Sequence, residues 1–139
     1  MTGAILEFQI GHYDEAIALW RRTPGVGLSA ADERERIAGF LNRNPRLSFI
    51  VKIDDEVAGT ILCGHDGRRG LIHHLVVDAR FRRSGHGGRL LTAALAGLRA
   101  EGIDKAHLLV FRSNEDGLAF WRRLSVERAE IALFSVATS

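Results

Sequence analysis

The stretch His74-Leu75-Val76-Val77-Asp78-Ala79-Arg80-Phe81-Arg82-Arg83-Ser84-Gly85-His86-Gly87-Gly88-Arg89-Leu90-Leu91 decides how this chain is read. It passes from apolar, β-branched residues through an arginine- and glycine-rich turn. Beyond the turn, Leu90, Leu91, Ala94, Leu95 and Leu98 repeat at helical spacing. A strand that ends in such a turn and opens a helix aims several free backbone N–H groups at one point, and the helix dipole adds partial positive charge there. Glycines at 85, 87 and 88 let ligand oxygens approach the main chain without Cβ atoms in the way, while Arg82 and Arg83 can meet the outlying charges of a pyrophosphate. A solvated Arg-rich turn ahead of a helix is the less favoured reading in this context.

Two better-known phosphate loops fail on residues that their mechanisms require. A Walker loop needs Gly-Lys followed by Ser or Thr, which is missing here. A dinucleotide fingerprint needs a third small residue, but Gly85-x-Gly87 runs on to Arg89 and Leu90.

The flanking sequence sets this loop in a mixed sheet. Upstream, Ala4 to Ile10 reads as a strand, and His12 to Arg22 as a helix stopped by Thr23-Pro24-Gly25. Ser29 three residues before Asp32 has the form of a capping box, and the second helix carries Ile37, Phe40 and Leu41 until Asn44-Pro45. Leu47–Ile53 and Val57–Cys63 form a hairpin across Asp54-Asp55-Glu56, and Leu71–Val77 is the third strand of that meander. After the long helix, Gly87 to Arg99, come a strand from Ala106 to Phe111 and a helix capped by Ser113 or Asn114. Val126 to Val136 reads as a terminal strand or hairpin. The predicted fold is α/β (α+β): a mixed, mostly antiparallel, twisted sheet of six to seven strands with helices on both faces, in the order β-α-α-β-β-β-α-β-α-β.

With 139 residues, 46% of them hydrophobic and 26% charged, the chain suits a single domain spanning 1–139. The longest apolar stretches fall well short of the about 20 residues of a membrane helix, and no basic segment precedes an apolar run at the N-terminus. We therefore expect a cytoplasmic protein with no membrane partner. The lone Cys63 cannot form an internal disulfide and reads as a small core residue. His65-Asp66 lacks a third ligand at a helpful spacing, so we expect no metal site. A net charge of +2 is too small to imply nucleic acid, and Arg80, Arg82, Arg83 and Arg89 gather round one phosphate-sized turn.

The pattern Arg82-x-x-Gly85-x-Gly87, after the strand His74–Asp78 and before an apolar helix, resembles motif A of the GNAT superfamily of N-acetyltransferases. Leu108–Phe111, Asn114 and Ala119–Leu124 look like that family's fifth strand and following helix, so the resemblance covers about residues 47 to 128. It implies acetyl-coenzyme A as cosubstrate, with the pantetheine arm lying where the fourth and fifth strands splay apart at a bulge. Leu75, Val76 and Val77 would supply main-chain contacts to that arm, and an N–H near Leu75 or Val76 would face the oxyanion. Arg82, Arg83, Ser84, Gly85, His86, Gly87 and Gly88 would hold the pyrophosphate. Asn114 would touch pantetheine, although a plain helix cap explains it equally well.

The sequence departs from the family where Trp121 stands in place of the usual general-acid tyrosine, with Ser125 and Ala79 in place of a customary glycine and proline. Either the thiolate leaves unaided or another residue protonates it. For the base, His73 and His74 are the natural candidates. Neighbours on a strand face opposite ways, so at most one is expected to reach the acceptor cleft, which Gly25 to Ala30 would help to wall. The resulting expectation is acetyl transfer to a primary amine of a small molecule or peptide, by direct attack in a ternary complex. The alternative is a coenzyme A-binding module with little or no catalysis. A homodimer through the terminal strand stays open.

Overall fold

The computed structural model describes residues 3–139. The chain runs β1 (Ala4–Glu7), α1 (Tyr13–Arg21), α2 (Arg34–Arg43), β2 (Phe49–Ile53), β3 (Glu56–His65), β4 (Gly70–Val77), α3 (His86–Ala100), β5 (Ala106–Leu108) and α4 (Glu115–Leu124). It forms two compact units, Met1–Leu109 and Val110–Ser139. No helix among the described residues is long and apolar enough to cross a membrane.

In the first unit the strands lie in the order β1-β2-β3-β4-β5, antiparallel except for the parallel pair β4–β5, which α3 connects. Asp54 and Asp55, at φ 51° and 64°, make the two-residue turn between β2 and β3. Positive φ at both central positions is the turn whose twist matches that of the paired strands. Val57 to Gly64 of β3 are buried without interruption, because helices cover both faces of the sheet there.

Gly59 and Thr60 illustrate the two faces. A Cβ on Gly59 would lie 3.3 Å from Leu90 of α3 and 2.9 Å from the Val76 carbonyl, so only glycine lets that helix sit so close. Next along the strand, the Thr60 hydroxyl accepts a hydrogen bond from the Trp20 indole of α1. The core on the α1 face joins Phe8, Tyr13, Ala16, Ile17, Leu19 and Trp20 to Ile37, Ile50, Leu62 and Val76. Truncating the buried Trp20 to alanine would cost about 3–5 kcal/mol. On the other face, Leu90, Ala94 and Leu98 form the buried stripe of α3.

In the second unit, the Asn114 side chain accepts the Gly117 N–H at 3.0 Å and caps α4. The expected strand over Val126–Val136 is not formed, so the described sheet has five strands rather than six or seven. Among the described residues of Val110–Ser139 there is no strand for it to pair with, and Val126, Phe134 and Val136 are exposed. An apolar segment becomes a strand only where a neighbour takes up its N–H and C=O groups.

Candidate active site

The ladder between β3 and β4 slips in its middle. Thr60 pairs with Val76 and Leu62 with His73, so His74 and Leu75 together stand opposite Ile61. His74 takes φ 47°, a left-handed conformation uncommon for a residue with a side chain. Long-range contacts hold it there. The Thr60 hydroxyl donates to the His74 carbonyl at 2.8 Å while accepting from Trp20 Nε1 at 2.9 Å. The Trp20 ring packs 4.6 Å from the His74 ring, centroid to centroid.

His74 Nε2 lies 2.7 Å from Asp32 Oδ1. Asp32 is itself tied down, for its Oδ2 accepts the Ser29 N–H at 3.0 Å and its main-chain carbonyl accepts the Tyr13 hydroxyl at 2.6 Å. The expected capping box at Ser29 therefore forms, heading a single 3-10 turn before α2. Its acidic residue also reaches β4.

The pleat argument for the two histidines fails here for a physical reason. The left-handed residue breaks the alternation, so His73 meets Phe40 of α2 edge-on at 6.0 Å and His74 meets Trp20 of α1, with the two imidazoles 6.5 Å apart. Burial lowers the His73 pKa below the ordinary histidine value, and neighbouring His74 lowers it further, against an opposing pull from Asp32. Burial and His74 both favour the neutral form of the His73 imidazole.

Beyond the bulge, β4 has an open side. Its parallel pairing to β5 covers Gly70–Ile72 against Ala106–Leu108 and stops, leaving Leu75, Val76 and Val77 with no β5 ladder partner. The same strand then leads into the glycine loop. Arg83 and Gly85 take φ 64° and 81°, and Gly85 precedes the first turn of α3 without a side-chain cap. The helix ladder opens with the Arg89 N–H on the Gly85 carbonyl, so the N–H groups of residues 86–88 precede it. A Cβ on Gly88 would meet nothing within 4 Å, so packing does not require glycine there.

The arginines divide into two sets. Arg80 is bound to Asp78 and Glu56, and Arg22 also reaches Asp78 at 2.8 Å. The Arg80 guanidinium, with Arg22 beside it, holds the Asp78 carboxyl well below the usual carboxylate range. Arg89 donates to the Gly3 carbonyl at 2.6 Å. Arg82 and Arg83 are exposed beside the loop, and Arg82 Nε donates to the Val77 carbonyl at 3.0 Å, across the end of β4. Ser84 is exposed, whereas the His86 ring is buried, so His86 can offer a ligand its main-chain N–H but not its ring. Asn114 and Trp121 belong to the second unit, where Trp121 is half-buried and edge-on to Phe120. Sequence reasoning missed Asp32 and Thr60 as parts of the site. Cys63 is fully buried, and its thiol is pushed up to about 12, chiefly by burial.

Residues 13–125 match the model of the acetyltransferase (GNAT) family. The chain belongs to the GNAT acetyltransferase family. It is an acetyl-CoA-dependent acetyltransferase, and the fold agrees. An acetyltransferase of Photorhabdus laumondii is 31% identical over 134 residues, covering 92% of this chain and 90% of that one. Among solved structures, the PaiA N-acetyltransferase of Thermoplasma acidophilum in complex with coenzyme A superposes with TM-score 0.77 at 18% identity, over 89% of each chain. AAC(6')-Iy, bound to a bisubstrate analogue CoA-S-monomethyl-acetylneamine, superposes with TM-score 0.75 at 16% identity over the full length of both chains. The GNAT resemblance read from Arg82–Gly87 therefore holds across the family match.

Proposed function

We propose that this GNAT acetyltransferase carries the acetyl group of acetyl-CoA directly to a primary amine of a small molecule or peptide, within a ternary complex. The observation that carries the reading is one strand with a bulge at His74–Leu75, an open side at Leu75–Val77 and the glycine loop beyond its end. Such a strand can hold thioester, pantetheine and pyrophosphate in sequence. Leu75, Val76 and Val77 would pair with the arm, Arg82, Arg83, Ser84 and the main chain of residues 85–88 would hold the phosphates, and Asn114 would touch the arm.

The attacking ammonium first gives up a proton, for which His74 and His73 are the candidate bases. Its nitrogen then bonds to the thioester carbon, and the developing oxyanion faces a main-chain N–H near Leu75 or Val76. The C–S bond breaks and the thiol leaves as thiolate. Trp121 has no acidic proton to offer, but a thiol pKa of about 8.5 makes departure without a side-chain acid feasible. Buried, protonated Cys63 is unsuited to an acetyl-enzyme intermediate, which supports direct transfer. The bisubstrate analogue bound to the structural neighbour is in keeping with two substrates meeting in one site. A single acyltransferase domain over 1–139 and a cytoplasmic setting belong to the same proposal.

Trp121 favours one second reading, a coenzyme A-binding module without turnover. Incubation with acetyl-CoA and a panel of diamines, amino sugars and peptides with free N-termini separates the two. Acetylated amine and free coenzyme A in equal amounts, unchanged by Cys63→Ala, is the expected outcome. Binding of acetyl-CoA with no acetylated product from any amine supports the module.

A further inference from the structure

Asp32 carries no role in the chemistry described so far, yet its side chain and main chain are both held by hydrogen bonds. An ionised carboxylate only accepts hydrogen bonds. Oδ2 is taken by the Ser29 N–H, so the 2.7 Å contact at Oδ1 calls for a donor on His74, which places the ring proton on Nε2. Among the described residues, His74 Nδ1 has no hydrogen-bond partner. Thr60 pins the main chain of this residue, Trp20 covers its ring and Asp32 holds the ring tip. The titratable groups facing it are Asp32, His73 on β4 and, behind Asp32, Tyr13 on α1.

We infer that Asp32 is a positioning residue, which fixes His74 as the Nε2–H tautomer and leaves Nδ1 as the nitrogen that takes the proton of the attacking amine. The inference rests on the proposed role of His74 as base. The ammonium proton passes to Nδ1 and the ring becomes an imidazolium, stabilised by Asp32 through Nε2–H. The amine lone pair forms the C–N bond and the C–S pair leaves with sulfur. The imidazolium proton then passes to the thiolate or to solvent, giving amide and coenzyme A.

Asp32→Asn is the discriminating variant. To keep the Ser29 N–H bonded, the amide oxygen must face Ser29 and the NH2 must face His74, so the ring has to accept at Nε2 and carry its proton on Nδ1. Side-chain 15N spectra of wild type and Asp32→Asn, assigned with His74→Gln and recorded above the imidazole titration, read the tautomer directly. The expected result is Nε2–H in the wild type and Nδ1–H in the variant, with kcat on the best amine of the panel lower by about 10²- to 10⁴-fold and a KM for acetyl-CoA changed much less. A wild-type His74 protonated on Nδ1 overturns the inference, as does an inverted tautomer with unchanged kcat. If circular dichroism shows that the variant does not fold, the wild-type tautomer decides. Failure of the wild type to acetylate any amine would sink the proposed function, while the spectra would still decide whether Asp32 positions His74.

Discussion

Strand β4 contributes to the proposed site at its bulge and beyond its end, and the two places are built by different means. At His74, the main chain, ring face and ring tip are each held by a side chain from another part of the fold: Thr60, Trp20 and Asp32. At Arg82–Gly88 the geometry comes from the local main chain, with left-handed Arg83 and Gly85 opening α3 and no side-chain cap. A bulge that must aim an imidazole needs several distant anchors, because a histidine at φ 47° is strained unless its surroundings fix it. A loop that offers N–H groups to a phosphate needs only glycines and the start of a helix. Mutations at the bulge should therefore lower stability and turnover together, whereas those at the loop should weaken binding without loss of stability.

Among the variants that separate the bulge from the loop, Thr60→Val gives the largest expected effect on stability. It keeps the side-chain shape but leaves the buried Trp20 N–H and the His74 carbonyl without their shared partner, which costs about 2–3 kcal/mol. Urea unfolding should show the loss, with turnover falling in parallel as the bulge relaxes. An unchanged midpoint would remove Thr60 as an anchor and weaken the contrast.

A pH series sharpens the same point. The His73 pKa is lower folded than unfolded, so between those values the unfolded chain binds a proton that the folded chain does not. Stability is then fully present above about pH 6.5 and is lost as pH falls through that range, at up to about 1.4 kcal/mol per pH unit for one proton. His12 and His86 are shifted in the same direction and add to the slope. Urea midpoints at pH 7.5 and 5.5 should fall on acidification, with a shallower fall in His73→Gln. Equal slopes for the two proteins would mean that the ring of His73 is not desolvated.

The smallest effect has the opposite sign. Gly88→Ala has room for its methyl group and replaces the poorest non-proline helix former with the best, so thermal unfolding should show a gain of roughly 0.5–1 kcal/mol. A loss would show that Gly88 supports the fold rather than the ligand.

The same contrast explains what could be read from the sequence. The family motif Arg82-x-x-Gly85-x-Gly87 is legible because a glycine-rich helix start is written in consecutive residues, and the order of elements from β1 to α4 follows from local periodicity. The bulge is not legible, since a left-handed histidine carries none of the glycine signal that marks such a turn. Asp32 was visible as the acidic end of a capping box, but the partner of its other oxygen lies 42 residues away. The terminal strand failed for a related reason, because the apolar residues of Val126–Val136 cannot supply the neighbour that a strand requires.

The most direct test of the account is isothermal titration of the purified protein with acetyl-CoA, beside Gly88→Glu. Position 88 has space for a side chain, so the variant should fold by circular dichroism while placing a carboxylate at the start of α3. The account predicts one site per chain in the wild type and an affinity lower by about 100-fold or more in the variant, the scale of replacing charge-assisted hydrogen bonds by like-charge repulsion. Absence of binding by the folded wild type, or equal affinity in Gly88→Glu, would contradict it.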